Sequence, residues 1–234
     1  MRKIFVYECK RLLGNKFFVG LVAVIVFFGW QVLNRVTILG VSHTAPFSPW
    51  SFGDYLGRLL PLLWIGALFF LTFFTSRAER RRARLTAATP VSPARYGLVR
   101  CAAALVGTLL LALVVVGLAL GFYARLFPGY EWRVLLWPAV LTLVPPLVFA
   151  VGSGWLLGRL RAWLLFPWML LPLALAAAPL PEWLGLLNGS VFAERPLALS
   201  EMDPAFSLSV GTVAAQGLLL LAGVAMLLIQ PQKK

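Results

Sequence analysis

The sequence predicts an all-α, polytopic membrane protein with six transmembrane helices. Apolar residues make up 61% of the 234 residues, well above the roughly 45–50% of soluble domains. They fall into long runs, and a helix needs about 20 mostly apolar residues to cross a bilayer. Little sequence remains between these runs. We therefore expect one membrane domain, 1–234, without a separate soluble domain.

Six runs are long enough to be candidate spans, and the alternating polarity of a transmembrane β-barrel is absent. The predicted spans are 17–39, 55–75, 97–122, 134–157, 162–180 and 207–229.

The N-terminal residues 1–16 mix basic and apolar side chains, which favours a helix lying in the membrane interface. Glu8 and Arg11 are its notable polar residues. The alternative is a simple basic anchor in front of the first span. Gly14 and Asn15 then permit a bend into the membrane.

Arginine and lysine are distributed unequally between the two sides of this topology. Basic residues collect in cytoplasmic loops, which predicts that both termini are cytoplasmic, in a bacterial inner or cytoplasmic membrane. We interpret the net charge of +13 as topology and attraction to anionic membrane lipids, and we expect no nucleic-acid partner. Only five basic residues are left on the outer side: Arg35, Arg58, Arg125, Arg133 and Arg195.

The segment 77–92, between the second and third predicted spans, is the most informative part of the chain. Its arginines cannot lie in hydrocarbon, so it must emerge on the cytoplasmic side. Its composition also favours a helix, which a soluble partner could contact. The alternative is a solvated basic loop. Ser92 and Pro93 are suited to cap and open the next helix.

Other features of the spans are less specific. Glycines four residues apart, at Gly117 and Gly121 and at Gly154 and Gly158, allow close helix contact in lipid, either within the chain or between subunits. Arg58 lies one turn into the second predicted span, where it can extend towards the interface. The longest outer segment is 181–206, with a short amphipathic turn at its start.

The chain lacks the residue patterns of an enzyme. We find no phosphate-binding loop, no catalytic cluster and no acid near the middle of a span of the kind that ion-coupled carriers use. We therefore predict no catalytic, cofactor or metal site, and no disulfide between Cys9 and Cys101. The few polar residues of the spans favour an amphipathic or lipid-like cargo: Thr72, Thr108, Thr142, Ser153, Thr212 and Gln216.

Taken together, this topology resembles the permease subunit of a type-2 ATP-binding cassette (ABC) exporter. The local pattern of that family is similar in two segments, 1–16 and 77–100. The first has an acid followed by basic residues, and the second has an acid, a Leu-rich turn and Thr-Pro-hydroxyl before aromatic and basic residues. The residues that match are Glu8, Lys10, Arg11 and Lys16, then Glu79, Leu85, Thr86, Thr89, Pro90, Val91, Ser92, Tyr96 and Arg100.

The resemblance implies a homo- or heterodimer of permeases bound to two cytoplasmic ABC ATPase subunits. The segment 77–92 would hold a coupling helix that contacts the ATPase through Glu79, Arg80, Arg81, Leu85 and Thr86. Two other functions remain open. A non-transporting assembly or scaffold subunit requires no particular residue, and a secondary carrier requires a buried ionisable group.

Overall fold

All regular structure in the described part of the chain is helical. A computed structural model describes residues 2–75, 93–127, 129–199 and 201–229. Its α-helices are α1 (Arg2–Leu13), α2 (Lys16–Arg35), α3 (Pro49–Thr75), α4 (Pro93–Leu126), α5 (Trp132–Leu160), α6 (Leu165–Ala177), α7 (Ser190–Leu199) and α8 (Val210–Leu228). Short 3₁₀ helices cover Thr37–Leu39, Ala162–Leu164 and Glu182–Leu184.

Five of these helices are long and apolar enough to cross a membrane, which indicates an integral membrane protein. They cover Lys16–Leu39, Pro49–Thr75, Arg95–Leu126, Trp132–Leu160 and Val210–Leu228. The fifth predicted span, 162–180, is a shorter apolar helix over Ala162–Ala177. At 1.5 Å per residue, it reaches less than the roughly 30 Å of a hydrocarbon core.

The bundle has two ends, which we name after α1 and α7. The α1 end holds the start of α2, the last turn of α3 and the start of α4. Phe17, for example, contacts Phe69 with ring centroids 5.7 Å apart. The α7 end holds the last turn of α2 and the first turns of α3, where Trp50 donates a hydrogen bond to the Pro204 carbonyl at 2.8 Å.

Helix α3 occupies the centre of the bundle. Most of its residues are buried, and it packs against α2, α4, α5, α6 and α7. It begins at Pro49, six residues before the predicted span, because Trp50 and Phe52 are fully buried and extend the helix into the α7 end. Arg58 therefore lies more than two turns inside the helix, not one turn as the sequence suggested.

The segment 181–206, which the sequence predicted to lie on the outer side, contains more structure than the predicted short turn. It includes α7, whose Phe192 packs so closely on α3 that a Cβ at Gly53 would lie 2.1 Å from the Phe192 ring. The Gly189 Cα would lie 3.0 Å from a Cβ at Gly57. These contacts fold the segment back into the bundle.

The predicted bend before the first span is confirmed. Helix α1 ends at Leu13, and Asn15 caps α2 by accepting a hydrogen bond from the Phe17 amide at 3.1 Å. The prediction that Pro93 opens the third span is also confirmed, since α4 begins there.

The glycine spacing of the sequence identifies only part of the close helix packing. Gly154 contacts Leu68 of α3, whereas Gly117 and Gly121 face open space. A close backbone contact joins α5 and α8, where a Cβ at Gly152 would lie 2.3 Å from the carbonyl oxygen of Gly223. This pair is far apart in the sequence, so no four-residue spacing reveals it.

We predict that Gly152→Ala destabilises the protein by about 1–3 kcal/mol, because the added methyl group overpacks the contact of α5 with α8. The matched control Gly117→Ala, in open space, should leave stability unchanged or slightly higher. Unfolding in mixed micelles with increasing denaturing detergent measures both. Equal stability of the two variants would show that the α5–α8 contact is not tight.

Candidate functional site

A buried ionic cluster fixes α1 to the start of α4. Glu8 is 1% exposed, and its Oε1 accepts a hydrogen bond from the Tyr96 hydroxyl at 2.7 Å. The Arg100 Nε lies 3.5 Å from the same oxygen, and Arg100 Nη2 donates to the Tyr96 hydroxyl at 3.0 Å. Arg11 Nη1 lies 3.4 Å from the second carboxylate oxygen. We call these four residues the clamp.

The clamp also contacts the last turn of α3. The guanidinium groups of Arg11 and Arg100 lie 5.7 and 5.5 Å from the centroid of the Phe74 ring, within the range of cation–π attraction. Arg100 is buried, and separating a buried charge from its partner costs about 3–5 kcal/mol. The clamp thus joins α1, α3 and α4 at the α1 end of the bundle.

The clamp brings together two of the residues that the sequence singled out for function. Glu8 and Arg11 form an ion pair, and both contact residues next to the segment between α3 and α4. The predicted ATPase contacts fall outside the described residues, so their interpretation stays a prediction: Glu79, Arg80, Arg81, Leu85 and Thr86. The residues that border this segment, Thr75 and Pro93, end α3 and begin α4.

At the α7 end, a cleft of about 1140 Å³ opens between α2, α3 and α6. This cleft could not be predicted from the sequence, because its lining residues belong to three helices and the start of α7, which are far apart in the chain. Its walls are apolar along most of their length, with side chains such as Val24, Phe28 and Leu62. From Ala23 to Arg35, the lining of α2 extends about 18 Å along the helix axis.

The mouth of the cleft is polar. Arg58 Nε donates to Asp54 Oδ2 at 2.7 Å; Asp54 is buried, and the Arg58 side chain is 48% exposed. Polar lining also comes from Gln31, Arg35, Asn188 and Ser190.

Asp54 is the buried acid that the sequence analysis did not place inside a span. It lies in the second turn of α3, and it forms an ion pair with Arg58 one turn further along the same helix. A carboxylate that already has a basic partner is less suited to carry a proton or an ion across the bilayer. Asp54 therefore gives the secondary-carrier reading little support.

The six polar span residues from which the sequence suggested a pathway do not line the cleft: Thr72, Thr108, Thr142, Ser153, Thr212 and Gln216. Thr108 and Ser153 donate to the carbonyls of Ala104 and Phe149 within their own helices, at 2.9 and 2.6 Å. Such bonds satisfy a hydroxyl in an apolar environment without a ligand. The polar groups that a ligand would meet are instead those at the mouth.

Comparison with known proteins gives no relative for this chain: no family model, no curated protein and no solved structure matches it.

We predict that breaking the clamp releases α1, and that Cys9 reports the release. Burial and the neighbouring Glu8 carboxylate raise the pKa of the Cys9 thiol, so less thiolate is present at neutral pH and labelling is slow. Tyr96→Phe removes a bond to a buried carboxylate without changing charge. It should raise the rate of maleimide labelling at Cys9 by about tenfold, for a loss near 1.4 kcal/mol.

Two measurements control this experiment. Lys3→Ala changes an exposed residue of the same helix and should leave the rate as it is. Cys101, which is 2% exposed, should stay unlabelled in every folded variant. A Cys9 rate that Tyr96→Phe does not change would mean that α1 is held by its apolar contacts alone.

Proposed function

We propose that the chain is the permease subunit of a type-2 ABC exporter, which moves an amphipathic or lipid-like substrate and is driven by a separate cytoplasmic ATPase. The observation that carries this proposal is the placement of the two sites at opposite ends of α3. The clamp contacts α3 at Phe74, beside the segment 76–92, and the cleft takes Asp54 and Arg58 from its other end. A push on that segment can therefore reach the cleft through one helix.

The proposed orientation places the α1 end in the cytoplasm. The described basic residues at that end outnumber the single acid, Glu8, and basic residues favour the cytoplasmic side. They are Arg2, Lys3, Lys10, Arg11, Lys16, Arg95, Arg100, Arg159 and Arg161.

In the proposed topology, α6 also crosses the membrane, which brings the number of crossings to six. It follows Leu160 at the α1 end and leads to the 3₁₀ helix Glu182–Leu184. Thr212, near the start of α8, donates to the carbonyl of Glu182 at 3.4 Å. A short helix can cross where the bilayer thins locally. Both termini are then cytoplasmic, in a bacterial inner or cytoplasmic membrane.

The proposed energy coupling uses the segment between α3 and α4. In this mechanism, 77–92 forms the coupling helix, and Glu79, Arg80, Arg81, Leu85 and Thr86 contact the ATPase. Closure of two ATPase subunits moves this helix in each of two permeases. The clamp makes α1 and the first turns of α4 follow the last turn of α3.

We predict that cysteines introduced at Thr89 and Met202 are labelled from opposite sides of the membrane, in a Cys9→Ser/Cys101→Ser background. Met202 is 91% exposed and belongs to the outer segment in the proposed topology. A membrane-impermeant maleimide should reach Met202→Cys in intact cells and Thr89→Cys only after permeabilisation. The reverse pattern would exclude the coupling role of 77–92.

We further predict that Glu79→Ala combined with Leu85→Ala uncouples the complex while the chain still inserts and folds. Truncating one partner of a buried charge pair at an interface costs about 2–5 kcal/mol, whereas an exposed pair is worth about 0–1 kcal/mol. The chain is co-expressed with candidate ABC ATPase subunits, and copurification and substrate-stimulated ATP hydrolysis are measured with the subunit that binds it. Both should fall.

Arg81→Ala is the matched control, because neighbouring arginines can replace its charge. The purified chain alone should hydrolyse no ATP, since it has no phosphate-binding loop. A double variant that keeps full complex and full stimulation would favour the scaffold subunit.

A further inference from the structure

The cleft at the α7 end is apolar along most of its length and polar at its mouth, a distribution that matches an amphiphilic molecule. Its lining changes from apolar side chains around Ile65 and Leu173 to charged and polar side chains around Arg35 and Arg58. The change follows the axes of α2 and α3, so a ligand would lie along them with its polar group at the mouth. The apolar walls match a hydrocarbon chain rather than a sugar or a peptide backbone.

The mouth carries a net positive charge. Asp54 balances one of the two arginines, and its bond to Arg58 uses only one of the five N–H donors of that guanidinium. In the described part of the chain, Arg58 has no other partner and Arg35 has none. Guanidinium groups bind phosphate and carboxylate oxygens in a bidentate manner. The arrangement therefore suits an anionic head group.

The start of α7 adds a fixed polar group to the mouth. The Oγ of Ser190 is buried and has no hydrogen-bond partner among the described residues. Asn188, Gly189 and Ser190 contribute to the lining of the mouth. The contact of Gly189 with Gly57 holds this end of α7 against α3.

From these observations we propose that the cleft binds an anionic amphiphile, a lipid with a phosphate-containing head group of net negative charge. The head group lies beside Arg35 and Arg58, and the hydrocarbon chain lies between α2, α3 and α6. If the chain is the proposed exporter, this lipid is its class of substrate. The claim of transport therefore rests on the proposed function. Binding itself needs no ATPase.

A second copy of the chain fits the cleft less well than a lipid does. The occupant must bring a negative charge together with an apolar surface. The exposed apolar faces of α2 and α8 contain no acidic residue, and neither does α6. The acids at the α7 end lie outside these helices: Asp54, Glu131, Glu182, Glu194, Glu201 and Asp203.

The test measures binding of two fluorescent lipids to the purified chain in uncharged maltoside micelles. The probes are lysophosphatidylglycerol and lysophosphatidylcholine with the same labelled chain, followed by fluorescence anisotropy. We expect lysophosphatidylglycerol to bind about tenfold more tightly, the factor that corresponds to about 1.4 kcal/mol. Higher salt should reduce this preference, since the mouth is partly exposed. Equal affinities would overturn the proposal.

Variants assign the preference to the mouth. Arg35→Gln combined with Asp54→Asn and Arg58→Gln removes the charges without leaving Asp54 unpaired, and it should abolish the preference. The matched control is Arg125→Gln combined with Arg133→Gln, which removes two arginines of the same end outside the cleft and should keep it. Arg35→Gln alone leaves the ion pair of Asp54 and Arg58 intact and should reduce the preference. This single variant tests the proposal even if the triple variant does not fold. A preference that survives all these changes overturns the proposal.

Three further measurements test where the hydrocarbon chain lies and separate the alternative occupants. Ile65→Trp narrows the apolar part and should weaken both lipids equally, and glycerol 1-phosphate should not displace either. Displacement by glycerol 1-phosphate would show a site for a free anion. In the Phe27→Cys variant, two chains could form a disulfide with each other at the cleft. If this cross-linked dimer no longer binds the lipid, a second copy of the chain fills the cleft. Each of these results contradicts the assignment, and none of them depends on the coupling helix, so failure of the exporter model is distinguishable.

Discussion

The burial of α3 is the constraint on which the rest of the structure depends. A helix that is apolar on nearly all sides is stable only when other helices surround it, and α3 packs against α2, α4, α5, α6 and α7 and contacts α1 through Phe74. The same helix brings Phe74 to the clamp and Asp54 to the cleft. Because α3 is one continuous helix of 27 residues, both sites lie on the same element.

Hydropathy predicted the spanning helices because each buries or exposes a long apolar surface, but it could not locate where α3 begins. Ser51, Gly53 and Asp54 lower the mean hydropathy of the first turns, although all three are buried. Gly53 is covered by Phe192 of α7, more than 130 residues later in the sequence, whereas Ser51 bonds to residues of the preceding loop and Asp54 to Arg58. The predicted span 162–180 extends beyond the end of α6 at Ala177. The apolar run continues past this point, although Ala178 already has an extended backbone, and hydropathy does not distinguish the two conformations.

The clamp and the cleft differ in how far each could be predicted from the sequence. Glu8 was identified from its place among basic residues, and Tyr96 and Arg100 from the family pattern, but no local signal showed that they meet. The cleft was missed because its lining converges from distant segments. One signal was available: Asp54 and Arg58 are an acid and a base four residues apart, a spacing that places them side by side on a helix.

The two ends of the bundle are held by different forces, which indicates where the fold can move. The clamp is a buried carboxylate with hydrogen-bonded and ionic partners, and separating them leaves charge in a medium of low dielectric constant. Helices α2 and α6, which form the other walls of the cleft, meet α3 through apolar contacts that lipid chains can replace at little cost. In α2, only Ile25, Gly29, Val32 and Leu33 are buried. We therefore expect α1, α3 and α4 to move as one unit, and the cleft to open and close by displacement of α2 and α6.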